Sequence, residues 1–271
     1  MSLYLEDVSF AYDSELVLNQ INLQVDSSIT ALVGPNAAGK STLLRCVAGI
    51  LKPQGRVVLD GQELSALGTR DRAQLVGYLV QDGLGSMELT VLEAVLLGRF
   101  RTLSWRVSET DLDLALATLN DLGIAHLALR SVCELSGGQQ RMVSIAQVLV
   151  QDPRVLLMDE PTANLDLRHQ LEIAALLKEM TLRKGLVTTL VLHDLNFAVR
   201  VADTIVVLHE GRVFACGNPA SVVTPEMLRA VYGVWARVHI DEEGIPVITL
   251  LDSVRSHSRV ALDGAVSGLS V

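Results

Sequence analysis

The sequence is short of the residues that mark several kinds of protein. Its 271 residues hold three cysteines, Cys46, Cys133 and Cys216. An odd, sparse set without paired spacing predicts a reducing compartment and argues against a disulfide framework. Aromatic residues make up 4% of the chain and apolar residues 49%, so aliphatic side chains have to fill the core. No segment approaches the roughly 18 uncharged apolar residues of a membrane span. The first residues, Met1-Ser2-Leu3-Tyr4-Leu5, lack the basic stretch and apolar run of a secretory signal. The expected protein is soluble and free to dock onto a membrane protein. Positive charge is the other shortage: 22 Lys and Arg stand against 31 Asp and Glu, a net charge of −9 with a pI near 5.1. Nonspecific binding to a phosphate backbone needs clustered cations, so nucleic acid is not an expected partner. The length suits one large domain or two small ones, and no internal repeat is visible.

What is present is more explicit. The stretch Gly34-Pro35-Asn36-Ala37-Ala38-Gly39-Lys40-Ser41-Thr42 follows an apolar run, Ile29 to Val33, and opens into a helix-like segment, Leu43 to Ile50. It fits the phosphate-binding loop Gly-x4-Gly-Lys-[Ser/Thr]. Glycines let consecutive backbone N–H groups point inward as an anion nest at a helix N-terminus, where the macrodipole favours negative charge. A triphosphate suits that nest, with Lys40 reaching its β- and γ-phosphates and the Ser41 hydroxyl ligating a bridging Mg²⁺. The commonest form of the loop has glycine where this chain has Ala37. If φ is positive there, alanine costs about 1 kcal/mol, and nucleotide binding is expected to be weaker.

Along the rest of the chain, Leu3 to Phe10 and Ile21 to Val25 alternate apolar with polar residues and predict an antiparallel edge layer with one wet face. Tyr12, between them, is a candidate to stack on a base. Arg56 to Asp60 and Val76 to Val80 read as strands, the second ending at Gln81, where open α/β sheets bind ligands. Thr90 to Glu93 is a capping box that starts a helix to about Leu97, and Ser108 caps another to Leu122. With no convincing strand from 85 to 150, a helical subdomain inserted in an α/β core is expected there. Within it, Leu135-Ser136-Gly137-Gly138-Gln139-Gln140-Arg141 precedes a helical pattern from Met142 to Val150. Two glycines at a helix start are poor helix formers. Their N–H groups with the Ser136 hydroxyl form a second candidate anion site.

Val155 to Met158 is an unbroken apolar run, as in a central parallel strand, and it ends in Asp159-Glu160-Pro161-Thr162. Two carboxylates at a buried strand's end are costly to desolvate. Asp159 is the candidate Mg²⁺ holder and Glu160 the candidate base for an attacking water. Asn164-Leu165-Asp166 leads into a helix to Met180, with Asp166 as cap. Thr188 to Leu192 is a strand ending at His193-Asp194. A hairpin (Thr204 to Leu208, Arg212 to Cys216), a short helix from Pro225 and a final pair of strands (Val234 to Leu250) follow. The Ser- and Gly-rich tail, 251–271, is expected to be loosely held.

In this order the motifs resemble the ATP-binding subunits of ABC transporters, over roughly residues 3 to 245. The resemblance makes Tyr12 the adenine-stacking aromatic, Gly34 to Thr42 Walker A, Gln81 the Q-loop and an Mg²⁺ ligand, and Leu135 to Gln139 the signature. Asp159 and Glu160 become Walker B with its catalytic glutamate, Asn164 to Asp166 the D-loop, and His193 the switch histidine. It implies a P-loop NTPase core with an antiparallel edge layer and an inserted helical subdomain, one ABC ATPase domain over residues 1–250. It also implies a head-to-tail homodimer in which the P-loop of one chain and the signature helix of the other enclose one ATP with Mg²⁺. Three phrases, Glu88 to Arg99, Leu192 to Ala198 and Val231 to Val234, are similar to importers of ferric siderophores, haem and cobalamin. The implied partners are integral-membrane permease subunits and, indirectly, a periplasmic substrate-binding protein, with the chain on the cytoplasmic face of the inner membrane. A permease helix is expected between core and helical insert, near Gln81 and Leu84 to Leu97. Chromosome-type relatives need a long coiled coil, for which Ser41 to Leu135 leaves no room, and translation-type relatives usually carry two ATP modules. An export ATPase shares the catalytic motifs.

Overall fold

Alternation along the strands decides which faces are buried, and the computed structural model describes this for residues 1–80, 88–99 and 107–254. In chain order the strands are β1 (Ser2–Tyr12), β2 (Glu15–Asp26), β3 (Ile29–Val33), β4 (Gln54–Leu59), β5 (Gln62–Glu63), β6 (Val76–Leu79), β7 (Val155–Asp159), β8 (Val187–Val191), β9 (Thr204–His209), β10 (Arg212–Gly217), β11 (Val234–Ile240) and β12 (Pro246–Ser253). The main helices are α1 (Lys40–Ala48), α2 (Thr69–Leu75), α3 (Val91–Leu97), α4 (Glu109–Asp121), α5 (Gly137–Leu149), α6 (Leu167–Lys184) and α7 (Leu195–Val201).

Two principal layers of sheet result. The alternating strands form an antiparallel sheet of order β2-β1-β4-β5, and the apolar runs form a sheet of order β10-β9-β3-β8-β7-β6. In the second sheet β6, β7, β8, β3 and β9 are parallel, and β10 runs antiparallel at the edge. Every residue of β3, β7 and β8 is buried, because both faces are covered. Along β7, Val155 and Leu157 pack toward α1 and the antiparallel sheet, while Leu156 and Met158 pack toward the other helices. This is the α/β core with an antiparallel layer that the sequence predicts. Cutting Leu156 or Leu157 back to alanine is expected to cost about 2–5 kcal/mol, as for other buried leucines.

Between β6 and β7 the described residues form helices and their connecting turns, with no strand apart from an isolated bridge, Thr90 to Ser131. Both predicted caps are made: Thr90 Oγ1 accepts from the Glu93 N–H at 3.3 Å, and Ser108 Oγ accepts from the Asp111 N–H at 3.1 Å. Some boundaries differ from expectation. α1 starts at Lys40, not Leu43, because Gly39 (φ 99°) is its N-cap and Lys-Ser-Thr is its first turn. α5 starts at Gly137, at the glycine pair and ahead of the helical pattern that begins at Met142. α2 has no fully buried residue, so it carries no apolar period to detect. At the C-terminal end β11 and β12 form their own hairpin. Asn196 of α7 holds it, donating to the Ile248 carbonyl (3.1 Å) and accepting from the Ile248 N–H (2.8 Å).

A candidate nucleotide site at the ends of the parallel strands

Because β6, β7, β8 and β3 run parallel side by side, their C-terminal ends lie along one edge of the sheet. The residues that follow those ends are Val80, Glu160, Leu192-His193 and Gly34. In open α/β sheets this edge is where ligands bind. Here the strand leading to His193, β8, lies between the P-loop strand and the strand that carries Asp159.

A cleft of about 400 Å³ opens at this edge, walled by Asn36, Ala37, Gly39, Lys40, Ser41 and Thr42 with Glu160, Val191 and His193; Glu15 and Val17 of β2 close one side. Gly34 is buried with φ 147°, and a Cβ there would lie 2.1 Å from the Leu208 carbonyl oxygen, so no larger residue fits. Ala37 does have positive φ, 62°, the condition under which alanine is strained. Lys40 folds over its own loop, donating from Nζ to the carbonyls of Gly34 (2.8 Å) and Pro35 (2.7 Å). Burial pushes the Lys40 ammonium below its ordinary pKa, and the nearby carboxylates of Glu160 and Asp159 oppose that shift.

Across the cleft, His193 Nε2 lies 2.5 Å from Glu160 Oε1. Glu160 has φ 51°, an uncommon conformation for a non-glycine residue and a modest strain held by its surroundings. Its N–H donates to Val191 O at 3.2 Å, tying it to β8. Asp159 is 3% exposed, and its Oδ1 is buried without a hydrogen-bond partner. A desolvated carboxylate oxygen in that state carries charge that a cation would compensate.

The residue that sequence reasoning passed over is Arg141. It lies on the buried side of α5 and donates from Nε to Pro161 O (2.8 Å). Its terminal nitrogens reach Glu160 O (2.6 Å), Asp159 O (3.3 Å) and Val80 O (3.3 Å). Desolvation lowers its pKa, again opposed by Glu160 and Asp159. The available signal was a cation placed just after Gly-Gly-Gln-Gln with no solvent-facing reason to be there.

Ser136 is the N-cap of α5 in a reciprocal capping box with Gln139 (Ser136 Oγ to Gln139 N–H 3.4 Å, Gln139 Oε1 to Ser136 N–H 3.1 Å). Ser136 and Gly137 are exposed, and Gly138 is buried. Among the described residues this tip does not wall the P-loop cleft of its own chain. Asp166 caps α6, accepting from the His169 N–H at 2.9 Å, and that bond holds its carboxyl below the ordinary range. Tyr12 ends β1, 42% exposed, with its ring edge-on to Phe10 at 4.9 Å. Gln81 and the segment Leu84 to Met87 lie outside the described residues, as does the tail from 255.

A mixed sheet with a P-loop between strand and helix, and an acidic pair two strands away, defines a nucleotide-binding cassette. Residues 18–163 match the ABC transporter family, and the chain belongs to it as an ATP-binding subunit, an ATPase coupled to transport. It is 36% identical to the ferric enterobactin transport ATP-binding protein FepC of Escherichia coli over 252 residues, 91% of this chain and 93% of that protein. It is 37% identical to the hemin import ATP-binding protein HmuV of Rhodopseudomonas palustris over 265 residues, 93% and 97% of the two chains. Among solved structures, an inward-facing ABC transporter of the metal-chelate type superposes with a TM-score of 0.80 at 27% identity, covering 92% of this chain and 97% of that one.

Proposed function

We propose that the chain hydrolyses ATP to drive import of a metal chelate, a ferric siderophore, haem or cobalamin, through a membrane permease. One observation carries the chemistry: Glu160 and His193, from neighbouring strands, meet at 2.5 Å on the wall of the P-loop cleft. In this reading the N–H groups of the loop from Asn36 to Thr42 cradle the phosphates. Lys40 exchanges the Gly34 and Pro35 carbonyls for phosphate oxygens. Glu160 accepts the proton of the attacking water, and His193 orients that carboxylate and senses the γ-phosphate. Asp159 and Ser41, with Gln81, hold Mg²⁺, which neutralises phosphate charge when bound. The orphaned Asp159 oxygen suits it.

The second half of the site is Ser136 to Gln139 of another copy, with Tyr12 stacking on adenine and Asp166 in the loop between subunits. A two-fold interface makes two equivalent sites. ATP supplies the negative charge that both electropositive halves lack, so its binding favours the closed pair by its differential affinity for that state. The permease docks in a cleft bordered by Ala48 at the end of α1 and Ile50 beyond it, Tyr78 of β6, Leu97 at the end of α3 with Gly98 after it, and Gln147 of α5. Ile50 is 60% exposed there. No helix among the described residues is long and apolar enough to cross a membrane; in this reading the chain works at the cytoplasmic face through its membrane partner. Glu160→Gln is expected to bind ATP and lose about 10²–10⁴-fold in turnover, as for a lost general base. Near-normal hydrolysis by that variant overturns the assignment of the base. The transport half is tested by reconstituting chain and permease in vesicles and measuring ATP-dependent chelate uptake; export, or no uptake, refutes import.

A further inference from the structure

The two glycines of the α5 tip meet different surroundings. A Cβ on Gly137 would touch nothing within 4 Å, whereas a Cβ on Gly138 would stand 2.6 Å from Cδ2, 3.0 Å from Cγ and 3.2 Å from Nε2 of His169. No real side chain tolerates the first of those distances against a fixed ring. The His169 ring is also anchored: its Nδ1 lies 2.8 Å from Asp166 Oδ1, the same oxygen that accepts the His169 N–H. The next residue, Gln170, donates from Nε2 to the carbonyls of Leu165 (3.1 Å) and Thr162 (3.4 Å). One turn of α6 thus grips the loop 162–166 with hydrogen bonds and seats the first turn of α5 with an imidazole face. Gly138 is what lets the two helix starts approach that closely.

We propose that His169 is a positioning residue for the second nucleotide half-site: its ring, through Gly138, sets the attitude of the Ser136–Gly137 tip relative to the Asn164–Asp166 loop. Both elements then reach the opposite subunit as one rigid unit. This inference rests on the head-to-tail reading above and assigns the two glycines different reasons. Gly137 is open because something outside the chain comes close to it. Gly138 is small because His169 is already there.

The test uses the full chain with Glu160→Gln, so that bound ATP is retained, and measures two quantities. One is ATP-dependent dimerisation by sedimentation; the other is the affinity of the monomer for a fluorescent ATP analogue at low protein concentration. Gly138→Ala is expected to weaken dimerisation by about tenfold or more, and adding His169→Ala is expected to return it to within about threefold of His169→Ala alone, a coupling that independent sites do not give. Gly137→Ala is expected to weaken dimerisation with no relief from His169→Ala. Monomer affinity is expected to be unchanged in every variant, since the P-loop is untouched. A double variant as weak as Gly138→Ala, or a harmless Gly138→Ala, overturns the proposal. If Gly138→Ala fails to fold, His169→Ala alone decides: weaker dimers at unchanged monomer affinity support the role, and parent-like dimers overturn it. A parent that never dimerises with ATP removes the sandwich reading itself, and this inference with it.

Discussion

Arg141 offers the sharpest test of how the acidic pair is held. Arg141→Met keeps much of the volume and removes the guanidinium that four carbonyl oxygens share. Hydrogen bonds from a charged donor contribute about 1.5–3 kcal/mol each, without simple additivity. Arginine also carries a desolvation cost that methionine lacks, which returns part of the loss. The balance is a destabilisation of about 3 kcal/mol, a large share of the 5–15 kcal/mol typical of a domain. Urea unfolding followed by circular dichroism, with an unchanged m-value, reads this directly. Because the lost acceptors include the carbonyls of Asp159 and Glu160, the same variant is expected to lose about tenfold or more in kcat, the usual effect of a small misplacement at a reacting centre. Its affinity for ATP is expected to hold, since no P-loop atom bonds to Arg141. Arg141→Lys restores the charge but not the fork, and is expected to recover less than half of the stability. A methionine variant within about 1 kcal/mol of the parent would refute the claim that this side chain clamps the end of β7.

Two further outcomes follow from single residues. Ala37→Gly relieves a left-handed alanine (φ 62°) worth about 1–2 kcal/mol, less about 0.4–1 kcal/mol for the looser unfolded chain; Tm is expected to rise by about 1–2 °C, and an unchanged or lower Tm contradicts the strain. Burial pushes the Cys46 thiol up to about 12, against the opposing charge of Arg72, so near neutral pH it stays protonated in the native state. A thiol reagent is therefore expected to label the exposed Cys133 and Cys216 well before Cys46, which reacts only on unfolding; fast native labelling of Cys46 would show that α1 is not packed as described.

The P-loop, the acidic pair at the end of β7 and the caps at Thr90, Ser108 and Asp166 were legible because each is written in a few consecutive residues whose chemistry is local. The apolar run at Val155 likewise announced a strand buried on both faces, and the alternation in Leu3 to Phe10 announced a layer with one wet side. The helix start at Lys40 was missed because the glycine and small polar residues around it are poor helix formers, which tertiary packing overrides. Nor could any local pattern reveal α2, which buries no side chain completely.

By itself, then, the order of residues determined the fold class, the glycine-rich loop between β3 and α1 and which carboxylates end a buried strand, since those depend on backbone conformation and hydrophobic period within short windows. Only the tertiary structure decided that β8 lies between β3 and β7, bringing His193 onto Glu160, that Arg141 spans from α5 to three separate carbonyl groups at and beyond the end of β7, and that His169 occupies the space a side chain on Gly138 would need. Those are contacts between segments roughly 18 to 33 residues apart. They are set by how layers pack, and no spacing along the chain encodes that.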